Sequence, residues 1–300
     1  MIIDLKYNSP DEEITDALFE KKKVSVSIKR DDLIHPFISG NKWRKLKYTL
    51  CKAICDNKKH LVTFGGAYSN HLLATACAAA KFGFKSTGVV RGETVENNTL
   101  MLCRMFGMNL IFTDRSSYRD KPAVFNKLFG DNSDAFFIDE GGSGPEAILG
   151  CAEMVDEFEQ SYDHIFCASG TGTTAAGILK GLQSKNIPTI LHSVSVFKEG
   201  SFIRQDIEQH FDNCPPFNLH LDYHFGGYAK TRPELIQFIQ RFSGETGILL
   251  DPVYTGKMLY AVYDLIRRDY FAPGSKILAV HTGGLLGLLG MDKKIYQALL

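Results

Sequence analysis

The sequence predicts an α/β protein with parallel sheets, and three observations carry the prediction. Roughly nine short runs rich in β-branched and aliphatic residues alternate along the chain with longer segments of helical periodicity. Alternation of this kind places helices on both faces of parallel strands. Glycine and small hydroxyl residues collect where strands hand over to helices, which is where open α/β sheets bind ligands.

In order, VSVSIK (24–29) alternates as a strand does. In SGNKWRKLKYTL (39–50), Gly40 ends an irregular segment and Asn41 can cap a helix. Trp43, Leu46, Leu50 and Ile54 then recur at helical spacing, so that helix starts near Lys42. HLVTFGG (60–66) is a strand closed by two glycines. The Ala-rich stretch after it reads as a helix capped by Ser69 or Asn70. STGVVRGE is a strand and loop, Asn98 to Phe106 a helix, NLIFTD a strand, AVFNKLF a helix, and AFFIDEGG a strand with a glycine exit. Pro145 to Gln160 is helical, HIFCASG a strand, TGTTAAGILKGLQS a glycine-rich turn and helix, and ILHSVSV a strand. IEQHFDN reads as helix, DYHFGGYAK as loop and RPELIQFIQRFSGETG as helix. ILLDPVYTG reads as strand and loop, KMLYAVYDLIRRDYF as helix, and KILAVHTGG as the last strand. No fixed-period repeat and no Pro/Gly/Ser linker divides the chain, so two domains would require more than one crossing between them.

Composition narrows the function. Lysine plus arginine and aspartate plus glutamate both number 34, so the formal charge is zero and no basic stripe points to nucleic acid. Apolar runs are short and interrupted by charge, which argues against a membrane span. The acidic MIIDLKYNSPDEEITD does not read as a secretory signal. Seven cysteines, an odd number without a CxxC, read as free thiols in a reducing, cytoplasmic compartment. Nine histidines show no HExxH or other paired spacing, so no metal is expected.

Four turns and one lysine could carry chemistry. Lys42 falls in a first helical turn, where the macrodipole disfavours a cation, and a neutral amine is the form that attacks carbonyls. On its own the segment reads more often as a solvated basic face. GGAYSNH (65–71) offers a carboxylate-binding turn, or simply a good N-cap. CASGTGTTAAG (167–177) builds a phosphate cup from amides and threonine hydroxyls at a helix start. It lacks the lysine of a P-loop. It fits GxGxxA, but no acid for a ribose ends the next strand, which favours a single phosphate over a dinucleotide. DPVYTGK (251–257) and HTGG (281–284) add Tyr254, Thr255 and Thr282, and the loop GGYAK adds Tyr228. A reactive lysine, a single-phosphate cup and hydroxyl partners are together the equipment for pyridoxal phosphate.

With these residues in view, the chain resembles the fold type II, tryptophan synthase β-like, pyridoxal-phosphate enzymes. The group is the one containing D-cysteine desulfhydrase and 1-aminocyclopropane-1-carboxylate (ACC) deaminase. The resemblance runs in order through KRDDL, SGNKWRKL, SNH, SGTGTT, DPVYTGK and HTGG, nearly the whole chain. It implies that Lys42 forms the Schiff base, Asn70 meets the cofactor's ring hydroxyl, and Gly170, Thr171, Gly172, Thr173 and Thr174 hold its phosphate. Ser69 would bind the substrate carboxylate or relay a proton, and Tyr254 and Tyr228 would face the substrate. His71, Thr255 and Thr282 stand where ACC deaminases resemble one another in carrying Gln, Glu and Leu, and all three look like D-cysteine desulfhydrase. A threonine near the ring nitrogen holds its proton less firmly than a glutamate, which suits expulsion of a thiolate better than opening of a cyclopropane. Tyr68 departs from both subfamilies, which usually carry Gln there, and so reshapes the pocket.

The implied function is β-elimination on a small D-amino acid, D-cysteine giving pyruvate, sulfide and ammonia. ACC deamination to 2-oxobutanoate and ammonia is the alternative. A non-catalytic pyridoxal-phosphate or nucleotide binder is the competing class, with an NAD dehydrogenase third. The implied architecture is a large α/β domain of residues 1–42 and 144–300 with a small one of 43–143 inserted, the cofactor in the cleft between them, and a homodimeric assembly.

Overall fold

The structure, a computed structural model, describes residues 3–291. Strand β1 (Asp11–Ile14), helix α1 (Ala17–Lys22) and strand β2 (Ser25–Lys29) open the chain, and α2 (Asn41–Cys55) comes next. Then come β3 (His60–Gly65), α3 (Asn70–Lys81), β4 (Lys85–Arg91), α4 (Asn98–Met105), β5 (Asn109–Thr113), α5 (Lys121–Phe129) and β6 (Ala135–Ile138). The chain continues with α6 (Pro145–Ala152), β7 (His164–Ser169), α7 (Thr173–Ser184), β8 (Ile190–Ser195), α8 (Phe202–Glu208) and β9 (Phe217–His220). It closes with α9 (Pro233–Thr246), α10 (Thr255–Arg267) and β10 (Lys276–Val280).

Two sheets result. The larger runs β1-β2-β10-β7-β8-β9, parallel except that β1 pairs antiparallel with β2. The smaller runs β5-β4-β3-β6 and is wholly parallel. Each large-sheet face carries its own core. Val26, Phe166, Phe242, Val262 and Ile277 pack with α9 and α10 on one side, and Ile165, Ile178, Leu191 and Leu278 pack with α7 on the other. Around the small sheet, Trp43, Leu46 and Leu50 of α2 bury against Ala74 and Ala78 of α3 and against Leu61. The helical spacing of those three residues is thus a buried stripe. We propose that residues 43–143 form the smaller unit, because every strand of its sheet lies between His60 and Ile138. The outer ends of the larger unit, residues 1–2 and 292–300, lie outside the described residues.

The structure corrects several expected elements. Ten strands are present among the described residues. β1 is short, acidic and confined to a sheet edge, and β9, at the opposite edge, alternates apolar and polar residues over only four positions, too few to mark a strand. Ile248–Leu250 forms no strand. The chain turns there because the Asp251 carboxylate accepts the N–H groups of Val253, Tyr254 and Thr255 at 2.9, 2.7 and 2.9 Å and so caps α10. Asn41 is the first residue of α2 rather than its cap; Gly40 takes that position. Ser69, not Asn70, caps α3, its hydroxyl accepting from Leu72 N at 3.3 Å. Among the described residues, no helix is long and apolar enough to cross a membrane, and no cluster of His, Cys, Asp and Glu could hold a metal ion.

Candidate active site

The first turn of α2 is locked to the end of β10. Gly40 has φ +58°, and a Cβ on it would lie 1.9 Å from the Thr282 carbonyl oxygen, so only glycine fits. The Asn41 amide donates to that same oxygen at 3.3 Å, and the Ser39 hydroxyl accepts from Gly284 N at 3.3 Å. These bonds fix where Lys42 begins. Its Nζ donates to the Gly141 carbonyl at 3.1 Å. Lys45, one turn further and almost wholly buried, donates to the same oxygen at 3.3 Å. Neither lysine is within ion-pair distance of a carboxylate among the described residues. Desolvation, and then the Lys45 charge, hold the Lys42 amine well below the usual lysine range.

Opposite Lys42, the loop from β7 into α7 is the candidate phosphate cup. Gly172 has φ +69°, and a Cβ there would sit 2.9 Å from Ile207 Cγ1. The amides of Gly170, Thr171, Gly172 and Thr173 donate to nothing among the described residues, which is the donor set an anion at a helix N-terminus requires. The hydroxyls are tied together: Thr171 and Thr173 share a hydrogen bond of 2.9 Å, and Ser143 and Thr173 one of 3.0 Å. Asn41 Nδ2 donates to Thr174 Oγ1 at 3.1 Å. These residues fit a phosphate, and with Lys42 they fit pyridoxal phosphate.

The turn before α3 supplies the third wall. Asn70 Nδ2 donates to Gly284 O at 3.3 Å, joining this turn to the end of β10. The Thr63 hydroxyl spends its hydrogen on the Ile138 carbonyl at 3.0 Å, so at 2.8 Å it accepts from His71 Nε2. His71 is therefore the Nε2–H tautomer. Desolvation, then Lys42 and Lys45, keep it uncharged, and its buried Nδ1 lone pair has no partner. The Tyr68 ring packs on Gly290, where a Cβ would lie 2.5 Å from ring carbon Cδ1. On the far side, Tyr254 lies over Gly170 and meets the Tyr228 hydroxyl at 3.5 Å. Tyr228 in turn stacks on Phe197 at 5.4 Å. Burial, then Tyr228, raise the Tyr254 phenol well above its usual range, so it keeps its proton at neutral pH.

One cleft of about 1170 Å³ brings together Lys42, Ser69, Asn70, His71, Gly170, Thr171, Gly172, Thr173, Thr174, Tyr228, Tyr254 and Thr282. Thr255 is not among its lining residues. Its hydroxyl is fully buried and donates to Asp251 Oδ2 at 2.7 Å, as the capping of α10 requires. It therefore cannot serve the cofactor ring directly. Sequence reasoning missed Lys45, Ser143 and the carbonyl of Gly141. The i, i+3 spacing of Lys42 and Lys45 was the available signal for the first. DEGGSG after β6 carried the other two but read only as a glycine exit.

The family model of the pyridoxal-phosphate dependent enzymes matches residues 14–283. The chain belongs to that family. It is 30% identical over 291 residues to the Arabidopsis thaliana mitochondrial protein named bifunctional D-cysteine desulfhydrase/1-aminocyclopropane-1-carboxylate deaminase, covering 87% of this chain and 72% of that one. It is 28% identical to the D-cysteine desulfhydrase of Serratia proteamaculans, covering 90% of this chain and 89% of the relative. A solved structure described as an ACC deaminase homologue superposes with a TM-score of 0.87 at 29% identity, covering 99% of this chain and 95% of that one. The fold is fold type II, and pyridoxal phosphate is the cofactor of the family to which this enzyme belongs.

Proposed function

We propose that this enzyme catalyses β-elimination on a small D-amino acid, D-cysteine giving pyruvate, sulfide and ammonia. The observation that carries the reading is Lys42. It is an amine with a lowered pKa and no carboxylate partner among the described residues, facing the candidate phosphate cup across one cleft. Lys42, the loop Gly170–Thr174, Asn70 and Thr282 would hold pyridoxal phosphate. The cofactor, when bound, delocalises the negative charge left on the substrate's α-carbon.

The chain's own groups do the rest. Lys42 Nζ takes the α-proton; Gly141 O holds that nitrogen in place, while desolvation and then the Lys45 charge favour its neutral, proton-accepting form. Ser69 and the amides that open α3 orient the substrate carboxylate. Tyr254 keeps its phenolic proton and is the acid that meets the departing sulfur. His71 offers an acceptor at Nδ1 that stays neutral beside two cations. The aminoacrylate so released takes up water to give pyruvate and ammonia. A homodimeric assembly is part of the proposal and is checked by light scattering.

ACC deamination is the second reading, favoured by the likeness to the ACC deaminase homologue. With Thr255 turned toward Asp251, the preference for D-cysteine rests on His71 and Thr282. The deciding experiment titrates the purified, cofactor-loaded protein with D-cysteine and, separately, with ACC, following the visible absorbance and the products. A spectral change with D-cysteine and release of sulfide supports the first reading. A response to ACC alone replaces it with the second. Inactivity against a wide panel of D- and L-amino acids leaves a non-catalytic binder.

A further inference from the structure

Beside the main cleft, at the C-terminal ends of β4 and β5, lies a cavity of about 440 Å³. Arg91, Arg115, Tyr118, Arg119, Lys121 and Glu140 line it. It is continuous with the cleft, which Arg91, Arg115, Lys121 and Glu140 line as well. Four cations thus face one carboxylate. Lys121 pairs with Asp139 at 3.4 Å, whereas Arg91, Arg115 and Arg119 have no carboxylate within 4.0 Å among the described residues.

A second observation points to a ligand. Tyr118 is 3% exposed, and its hydroxyl is buried without a hydrogen-bond partner. Burial, then the nearby Glu140, push that phenol up, so it stays a proton donor. The Arg91 guanidinium lies over the same ring at 5.5 Å. Cations free of ion pairs and a spare hydroxyl donor converge on one space, the chemistry that recognises a tetrahedral or planar anion.

The cavity also touches both sides of the reacting centre. Arg91 Nη2 lies 3.7 Å from where a Cβ on Gly66 would be, in the turn that leads to Ser69. Glu140 directly precedes Gly141, whose carbonyl holds Lys42 and Lys45. An amino acid with its carboxylate at Ser69 and its α-carbon at Lys42 could therefore send its side chain toward the arginines.

We propose that this cavity binds the anionic end of the substrate's β-substituent. The substrate class then extends to amino acids whose leaving group ends in a phosphate, a sulfate or a carboxylate. This rests on the elimination reading. The step stays balanced: the α-proton goes to Lys42 Nζ, the Cβ–O bond breaks, and its electron pair departs on the anionic leaving group. Aminoacrylate forms and takes up one water to give pyruvate and ammonia.

The test has two arms on the cofactor-loaded protein, whose phosphate cup is already filled. In the first, inorganic sulfate is titrated at constant ionic strength against chloride, and binding is read from the thermal midpoint. Wild type should bind sulfate. Arg91→Ala with Arg115→Ala should weaken it by about tenfold or more. Tyr118→Phe, which deletes only a hydroxyl that lies beside Glu140 without a well-formed hydrogen bond, should weaken it severalfold without harming the fold. In the second arm, kcat/KM is compared for O-phospho-D-serine and O-acetyl-D-serine, which differ in the charge of the leaving group. The ratio should fall by about tenfold in the double variant, with D-cysteine turnover little changed.

Sulfate binding that survives the double variant overturns the site. Binding lost with an unchanged ester ratio overturns the substrate assignment and makes the cavity a free-anion site. No turnover of either ester or of D-cysteine, with sulfate binding intact, overturns the elimination reading and the substrate assignment with it, while the anion cavity stands.

Discussion

Arg44 and Lys45 are adjacent on α2 and both nearly fully buried, yet their charges are handled in opposite ways. Arg44 points into a nest of carboxylates. It donates to Asp31 through Nε at 2.7 Å and Nη2 at 2.6 Å, and to Glu157 at 2.9 and 2.8 Å. Against the desolvation that pulls it down, Asp31 and then Glu157 hold the guanidinium firmly charged. Lys45 and Lys42 point the other way, toward a single carbonyl; no carboxylate among the described residues pairs with either, and the weaker influence of Cys151 and Cys167 does not overcome their desolvation. A compensated buried charge joins elements together, here α2 to the segments holding Asp31 and Glu157. An uncompensated one changes reactivity. The helix does both on adjacent positions.

The largest test of that contrast is Lys42→Ala. Turnover should fall by about a thousandfold or more, with the thermal midpoint little changed, since this lysine's value lies in its reactivity. Lys42→Arg, which keeps a cation but no nucleophilic amine, should be as inactive. Substantial turnover in either would remove Lys42 from the centre of the site.

Arg44→Met inverts the pattern. It leaves Asp31 buried without its partner, and removing one member of a buried pair costs about 3–5 kcal/mol. Urea unfolding should show a loss of that size, while the folded fraction retains its kcat. A loss below about 1 kcal/mol would mean that the network is not structural. Glu157→Gln is milder, because Asp31 still holds the guanidinium, and a loss of about 1–2 kcal/mol is expected. Its sign with pH is fixed. Although desolvation opposes it, the hydrogen bonds from Arg44 depress the folded pKa of Glu157. The stability it contributes is therefore present above the unfolded carboxylate pKa and lost as pH falls through the depressed one. The difference between wild type and Glu157→Gln should narrow in acid by that route.

How much of this was legible depends on the kind of signal. The layered fold followed from local pattern, since Trp43, Leu46 and Leu50 mark a buried face wherever they occur. Ser69 announced a helix start because capping is a local event. β1 was illegible because its pairing with β2 is nonlocal and its residues are acidic; Asp11 lies in the sheet where Lys29 meets it at 3.3 Å. Thr255 was misassigned for a similar reason: whether a hydroxyl faces a cofactor or the Asp251 beneath it is decided by tertiary geometry. Lys45 read as one cation in a basic run, since a sequence does not tell which lysines of a helix meet solvent. Its partner, the Gly141 carbonyl, belongs to a loop 96 residues away.

The finest test separates the two causes that act on Lys42. Desolvation is the larger, and the charge of Lys45 adds to it. Lys45→Gln keeps a donor for the Gly141 carbonyl and deletes only the charge. With one depressing cause gone, the pKa of Lys42 rises, so its amine stays protonated to higher pH. Capture of pyridoxal phosphate by the apoprotein needs the neutral amine. The acid limb of the capture rate should therefore move to higher pH in Lys45→Gln, with the rate well above both pKa values unchanged. Lys45→Arg restores a cation and should move the limb back. The measurement is the growth of the visible band after mixing, repeated across pH. If the Lys45→Gln limb overlies that of wild type, the two lysines titrate independently despite their common carbonyl. The reactivity of Lys42 would then come from desolvation alone, and the missing carboxylate, rather than the neighbouring cation, would be what sets this side of α2 apart from the side that holds Arg44.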